Sequence, residues 1–366
     1  MKQTTVNTIS YVVLVKALII LIGLFSYHLV LFGDFFYKNN YRFEQREDKF
    51  VDLWSSWDGQ WYLKIAAEGY NSGSAEKTDV QSRAFFPFYS FLTKLLGFLT
   101  GNALAGLIIN YIASAIALVF LYYLMLLDFP HDTAHRTFLY MLIFPTAMFF
   151  SAVYTEGLFL MLAVLCFYFA RKQQWWYAGF AGMFATLTKV FGVFLFISLA
   201  MEYWQSRKQS KGIGLHYALF LIPFAFLLHL FYLKTITGDW LAFLHAQGIW
   251  QKGSFAFSKY FTDLAWHGFK NSAIDLFVTL LFLVLLYHCY KKLRPSYTAY
   301  AAIVLFIPIL SGDLMSMSRH VLMSFPSFII LAQWGKNEKI NYVILILFAM
   351  FLAFFTALFV NNYWVG

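Results

Sequence analysis

Four ionisable residues have the types and settings from which chemistry could be built: Asp58, Glu156, Lys189 and Arg319. Asp58 lies in Trp57-Asp58-Gly59-Gln60-Trp61-Tyr62, preceded by Ser55 and Ser56, which are residue types that cap helix N-termini. The pattern predicts a short amphipathic helix with Trp57, Trp61, Tyr62 and Ile65 on one side. The free amides and dipole of a first helical turn hold a carboxylate ionised, which is the state a general base needs. A plain helix cap among interfacial aromatic anchors fits the same residues, and both readings stand at this point.

The other three residues lie far along the chain. Glu156, in Phe150-Ser151-Ala152-Val153-Tyr154-Thr155-Glu156-Gly157, falls between two apolar runs, where an ionised group is costly unless it faces a cavity or a partner. Lys189, in Thr186-Leu187-Thr188-Lys189-Val190-Phe191-Gly192, could snorkel to an interface or meet an anionic phosphate. Arg319, in Met317-Ser318-Arg319-His320 ahead of Phe325-Pro326, offers a planar fork for phosphate, with a structural pair to Asp313 as the competing reading. Arg83 opens Arg83-Ala84-Phe85-Phe86-Pro87-Phe88-Tyr89, which could turn the chain back toward Asp58 or be an ordinary junction of loop and helix. One base and two or three cations on separate helices fit a lipid phosphate donor.

The elements that must position these groups are membrane helices. Of 366 residues, 61% are apolar and 12% charged, and apolar runs recur near 9–33, 103–127, 138–150, 157–170, 175–188, 190–204, 215–234, 273–290, 297–311, 321–334 and 340–360. The fold class is all-α and polytopic, a single membrane domain over 1–366 with about eleven spans, some of them tilted or broken. The run from Ile9 to Phe32 is too long for a signal-peptide core and reads as the first span. Basic clusters at Arg171-Lys172, Arg207-Lys208, Lys291-Lys292 and Lys336 share one face if Phe85–Leu99 is a re-entrant or surface helix, and that face is cytoplasmic. An external segment over 34–101 then holds juxtamembrane helices and the acids Asp34, Glu44, Glu47, Asp48, Asp52, Asp58, Glu68, Glu76 and Asp79, most of them a solvated surface. The net charge of +9 is spread over such loops, which argues against nucleic acid as a partner. Cys166 and Cys289 fall in or at the edge of apolar runs and suggest neither a disulfide nor a metal site.

In order along the chain, Trp57-Asp58 with Tyr62, Ile65-Ala66 and Gly69-Tyr70, then Ala84-Phe85-Phe86-Pro87, then Ser151 to Glu156 with Leu158-Phe159, then Thr186 to Lys189 with Gly192, resemble the PIG-V type mannosyltransferase family. Gly238-Asp239-Trp240-Leu241-Ala242-Phe243 with Ala246-Gln247 and Trp250 looks like the bacterial members, and Ser318-Arg319-His320 with Phe325-Pro326 is similar to a late motif of the family. The resemblance implies a glycosyltransferase of the GT-C architecture, taking a sugar, mannose above others, from dolichyl or undecaprenyl phosphate to a lipid or glycan hydroxyl. Two positions depart from the pattern: Gln60 stands where a histidine is expected, and Lys189 where relatives carry arginine. A lysine keeps the charge but loses the fork.

On that resemblance Asp58 is the catalytic base of an inverting transfer, and Lys189, Arg319 and His320 hold the donor phosphate. Trp57, Gln60, Tyr62, Arg83, Tyr154, Glu156, Asp239 and Gln247 are expected to bind substrate. No cofactor and no metal are expected. The implied home is a bacterial plasma membrane, with the N-terminus cytoplasmic and the site external, or the endoplasmic reticulum membrane in a eukaryote. A transporter or flippase of a lipid-linked or anionic substrate is the alternative, although the polar residues gather at one surface and no inverted repeat shows in the hydropathy.

Overall fold

Apolar runs of different lengths make two kinds of helix in this chain, whose computed structural model describes residues 2–33, 37–38, 40–43, 49–71, 76–206, 215–250, 271–311 and 314–365. In chain order the helices are α1 (Lys2–Leu29), α2 (Lys49–Leu53), α3 (Asp58–Glu68), α4 (Lys77–Ser82), α5 (Pro87–Thr100), α6 (Asn102–Met125), α7 (His131–Leu142), α8 (Glu156–Arg171) and α9 (Trp175–Thr188). They continue with α10 (Phe191–Ser206), α11 (Leu221–Thr237), α12 (Ala242–Trp250), α13 (Asn271–Lys292), α14 (Pro295–Leu310), α15 (Met317–His320), α16 (Phe325–Trp334) and α17 (Glu338–Val360). Among the described residues every regular element is helical. Thr8–Leu29, Asn102–Met125, Tyr217–Thr237, Ala273–Lys292 and Glu338–Val360 are long and apolar enough to cross a membrane. The chain is a polytopic helical membrane protein.

The two kinds of helix differ in what surrounds them. The long ones present an apolar face outward, as at Ile346, Met350 and Phe354 of α17, where lipid is the natural solvent. Helix α8, with 16 residues, is buried on nearly every side between α6, α9 and α10. Helix α5 is one-sided: Tyr89, Ser90 and Thr93 face α3 and α6, while Phe91, Leu95 and Phe98 face out. Its Pro87 sits in the first turn, where a missing N–H costs nothing.

Three expectations need correction. The run 138–150 is not one helix: α7 begins at His131 and stops at Leu142, just before Pro145, and a 3-10 turn follows at Ala147–Ser151. Ser55 and Ser56 do not cap α3, because Trp57 occupies the cap position and the Ser55 hydroxyl instead donates to the Asp52 carbonyl. Nor is α3 amphipathic in its setting, since Gly59 to Ala66 are all buried. Asp34, Glu44, Glu47, Asp48 and Asp313, and with the last its postulated pair to Arg319, lie outside the described residues.

Candidate active site

The site begins at a strained corner. Trp57, with φ of 61°, is in the left-handed region that a residue with a Cβ seldom enters, and it turns the chain into α3 so that Asp58 is the first helical residue. Gly59 lets that corner lie flush against the neighbouring segment, because a Cβ there would come 3.0 Å from the Val153 carbonyl oxygen. The Val153 amide donates to the Trp54 carbonyl at 2.9 Å, and the Tyr154 hydroxyl to the Ser56 carbonyl at 3.3 Å. The α3 start and the 152–154 segment are therefore one seam.

Arg319 reaches that seam from the far end of the sequence. Its turn follows Ser316, which has φ of 68°, and is clamped on both sides. The Ser318 amide donates to Asp275 Oδ1 of α13 at 3.0 Å, and Thr146 Oγ1 donates to the Ser318 carbonyl at 2.9 Å. The guanidinium lies over the rings of Tyr154, Phe149 and Trp364, at 5.3, 5.5 and 5.9 Å from their centroids. Trp364 in turn meets Trp57 edge to face at 4.9 Å.

These placements join all four ionisable candidates in one chain of contacts. Arg319 Nη1 donates to Asp58 Oδ2 at 2.6 Å, Arg319 Nε lies 3.5 Å from Glu156 Oε1, and Lys189 Nζ donates to the same Glu156 oxygen at 2.6 Å. The side chain of Glu156, inside the chain of charges, is 1% exposed, and that of Asp58, at one end, is 21% exposed, the most of the four. Glu156 Oε2, Arg319 Nε and His320 Nδ1 are buried without a hydrogen-bond partner among the described residues. Buried polar atoms are ordinarily satisfied, so three such atoms in one cluster mark a place where a polar ligand fits. Burial opposes the Arg319 charge, yet Asp58 and Glu156 outweigh it and raise the guanidinium above its usual range. Burial lowers the Lys189 ammonium against the pull of Glu156, with Arg319 adding to the depression. Burial, helped by Lys189 and Arg319, pushes the His320 imidazole well below its usual value, so it offers a neutral ring beside Phe191.

A polar rack inside the apolar bundle supports the stretch that carries Tyr154 and leads into α8 at Glu156. Asn110 Nδ2 of α6 donates to the Phe149 and Ala152 carbonyls at 2.6 and 2.8 Å, and its Oδ1 accepts the Gly157 amide at 2.8 Å. Lys16 Nζ of α1 donates to the Phe150 carbonyl at 2.9 Å and to Ser114 Oγ at 2.7 Å. Backbone that leaves the helix at membrane depth needs such partners. Sequence reasoning missed Lys16, Asn110, Ser114, Thr146 and Asp275. The available signal was polar or ionisable residues inside apolar runs, which are expensive unless used.

The remaining candidates divide by position. Tyr62 bonds Thr155 at 3.2 Å and packs beside Phe85 and Tyr89, close under the charged chain. Gln60, 1% exposed, spends its amide on the loop: Oε1 accepts the Phe43 amide at 2.9 Å and Nε2 donates to the Ser55 carbonyl at 2.8 Å. Arg83 donates to the Asn71 carbonyl at 3.4 Å, in a region stapled by Lys64, which meets Asp79 at 2.8 Å and Glu68 at 2.6 Å. Gln247 reaches the Ala84 carbonyl at 3.3 Å, while Asp239 pairs with His245 on an exposed turn.

No protein-family model and no curated protein matches the chain. In structure it is similar to a crystal structure of ArnT from Cupriavidus metallidurans in the apo state, with a TM-score of 0.49 and 15% identity over 89% of this chain. The chain spans 61% of that ArnT chain.

Proposed function

We propose that the protein is an inverting glycosyltransferase of the GT-C architecture, moving a sugar, mannose above others, from a polyprenyl phosphate to an acceptor hydroxyl at the external membrane face. The observation that carries this reading is the continuous chain from Asp58 through Arg319 and Glu156 to Lys189, with an accessible carboxylate at one end and two cations from separate elements behind it. Asp58 takes the proton of the acceptor hydroxyl as that oxygen bonds to the anomeric carbon. The bond from that carbon to the phosphate oxygen breaks on the opposite face, and its electron pair leaves on the phosphate. Arg319 and Lys189 supply positive charge where the leaving phosphate gains negative charge, in a setting where such charge acts strongly. Glu156 orients both cations, and its second oxygen accepts a hydroxyl of the sugar. Trp57, Tyr62 and Tyr154 wall the site, while His320 lends a neutral ring nitrogen.

The test is transfer of labelled mannose from polyprenyl-phosphate mannose in membranes carrying the wild type or Asp58→Asn, with other polyprenyl-phosphate sugars alongside. Transfer by the wild type and a fall of about 10²-fold or more in the folded variant are expected, the usual range for loss of a general base. No transfer by the wild type from any donor sugar, with movement of a lipid-linked or anionic compound across the membrane, would replace this reading with the transporter.

A further inference from the structure

We infer that Asp58 and the donor phosphate compete for Arg319, so that arrival of a polyprenyl phosphate releases the base that the reaction needs. The inference rests on the proposed transferase reading and adds a condition to it. A base must have an oxygen free to meet the acceptor hydroxyl, but Asp58 Oδ2 is held by Arg319 Nη1 at 2.6 Å. The same guanidinium is the cation best placed for a phosphate, with its Nε buried and without a hydrogen-bond partner.

Charge decides which partner leaves. Asp58, Glu156, Arg319 and Lys189 are two carboxylates and two cations, so their formal charges cancel. A phosphate adds a third anion to that balanced set, and like charges at contact range repel strongly where water is scarce. Glu156 is held from two sides, by Lys189 at 2.6 Å and Arg319 at 3.5 Å, and its side chain is 1% exposed. Among the described residues the Asp58 carboxylate has one ion-pair partner, Arg319, and its side chain is 21% exposed. It is the carboxylate that can exchange its ion pair for solvent or for an acceptor hydroxyl. Activation of the acceptor therefore waits on the donor, whichever substrate binds first. Without donor, the base stays tied to Arg319.

The measurement is binding of polyprenyl phosphate, the leaving product, to the full chain in lipid nanodiscs, titrated by tryptophan fluorescence for the wild type, Asp58→Asn and Asp58→Ala. Removing the competing carboxylate is expected to tighten binding about tenfold in both variants, the equivalent of one modest ion pair released. A base with no such competition predicts unchanged affinity, and a carboxylate that helps hold the donor predicts weaker affinity. Either result in both variants, with the wild type binding saturably, overturns the exchange and leaves the transferase standing. Absence of saturable binding by all three proteins overturns the donor reading itself. The two variants differ in shape, so agreement between them separates the effect of charge from local misfolding.

Discussion

Helix α8 carries Glu156 at its first residue and Arg171 at its last, about 22 Å apart along the axis, and each end anchors a network of carboxylates and cations. At the Arg171 end, Arg171 pairs with Asp128 and lies 3.3 Å from Glu202, and Arg294 meets Glu202 at 2.9 Å. Ser296 donates to Glu202 Oε2 at 2.5 Å, and Tyr297 donates at 3.2 Å to Asp128 Oδ2, the oxygen that Arg171 also holds. Among the described residues, no buried side-chain polar atom of Arg171, Asp128, Glu202, Arg294, Ser296 or Tyr297 lacks a hydrogen-bond partner, whereas the Glu156 end leaves unpartnered Glu156 Oε2, Arg319 Nε and, alongside, His320 Nδ1. Both ends hold two acids and two bases. The difference is saturation: a network with every lone pair and proton used holds elements together, and one with spare capacity can accept a ligand.

The comparison fails if the two ends respond alike to substitution. The largest effect is expected for Arg319→Met, which should lower sugar transfer by about 10²- to 10³-fold, the cost of losing a preorganised charge donor, while unfolding in detergent shifts only modestly, because Glu156 keeps Lys189 and the Asp58 side chain is 21% exposed. Glu202→Gln should do the reverse. It strands Arg171 and Arg294, and since Arg294 has a side chain 33% exposed and Arg171 keeps Asp128, the expected destabilisation is about 2 kcal/mol, below the range for fully buried pairs. Transfer per folded molecule should be unchanged, so an assay normalised to the folded fraction separates the two ends. The smallest effect belongs to Asp239→Asn, where an exposed pair with His245 is broken and steady-state parameters should move no more than about fivefold. A larger drop would place the α11–α12 turn against a substrate.

The candidate site residues were legible where the sequence interrupts itself. Asp58, Glu156, Lys189 and Arg319 stand in the breaks between apolar runs, so each could be named as a candidate before any contact was known, and the fold brings all four together. What could not be read was their pairing. Arg319 meets Asp58, 261 positions away, and no local pattern encodes that contact. Lys16 and Asn110 were hidden for the opposite reason: each lies inside a run that scores as a membrane span and was absorbed into it. The break after Leu142 was hidden too, because Pro145 lies within an apolar stretch whose composition continues unchanged while its backbone does not. Hydropathy reports the surroundings of a segment, and hydrogen bonding sets its shape.

The missing Cβ at Gly59 has a consequence for time as well as for space. With the start of α3 seated against Val153, the backbone under Asp58 has little room to travel. Whatever repositioning the carboxylate undergoes is therefore a rotation about its own side-chain bonds. Such hops belong to the picosecond-to-nanosecond range, far quicker than the microsecond-to-millisecond opening of lids and loops. On the exchange inferred above, the base is then freed by a side-chain turn once the donor has displaced it from Arg319, with no backbone opening to wait for.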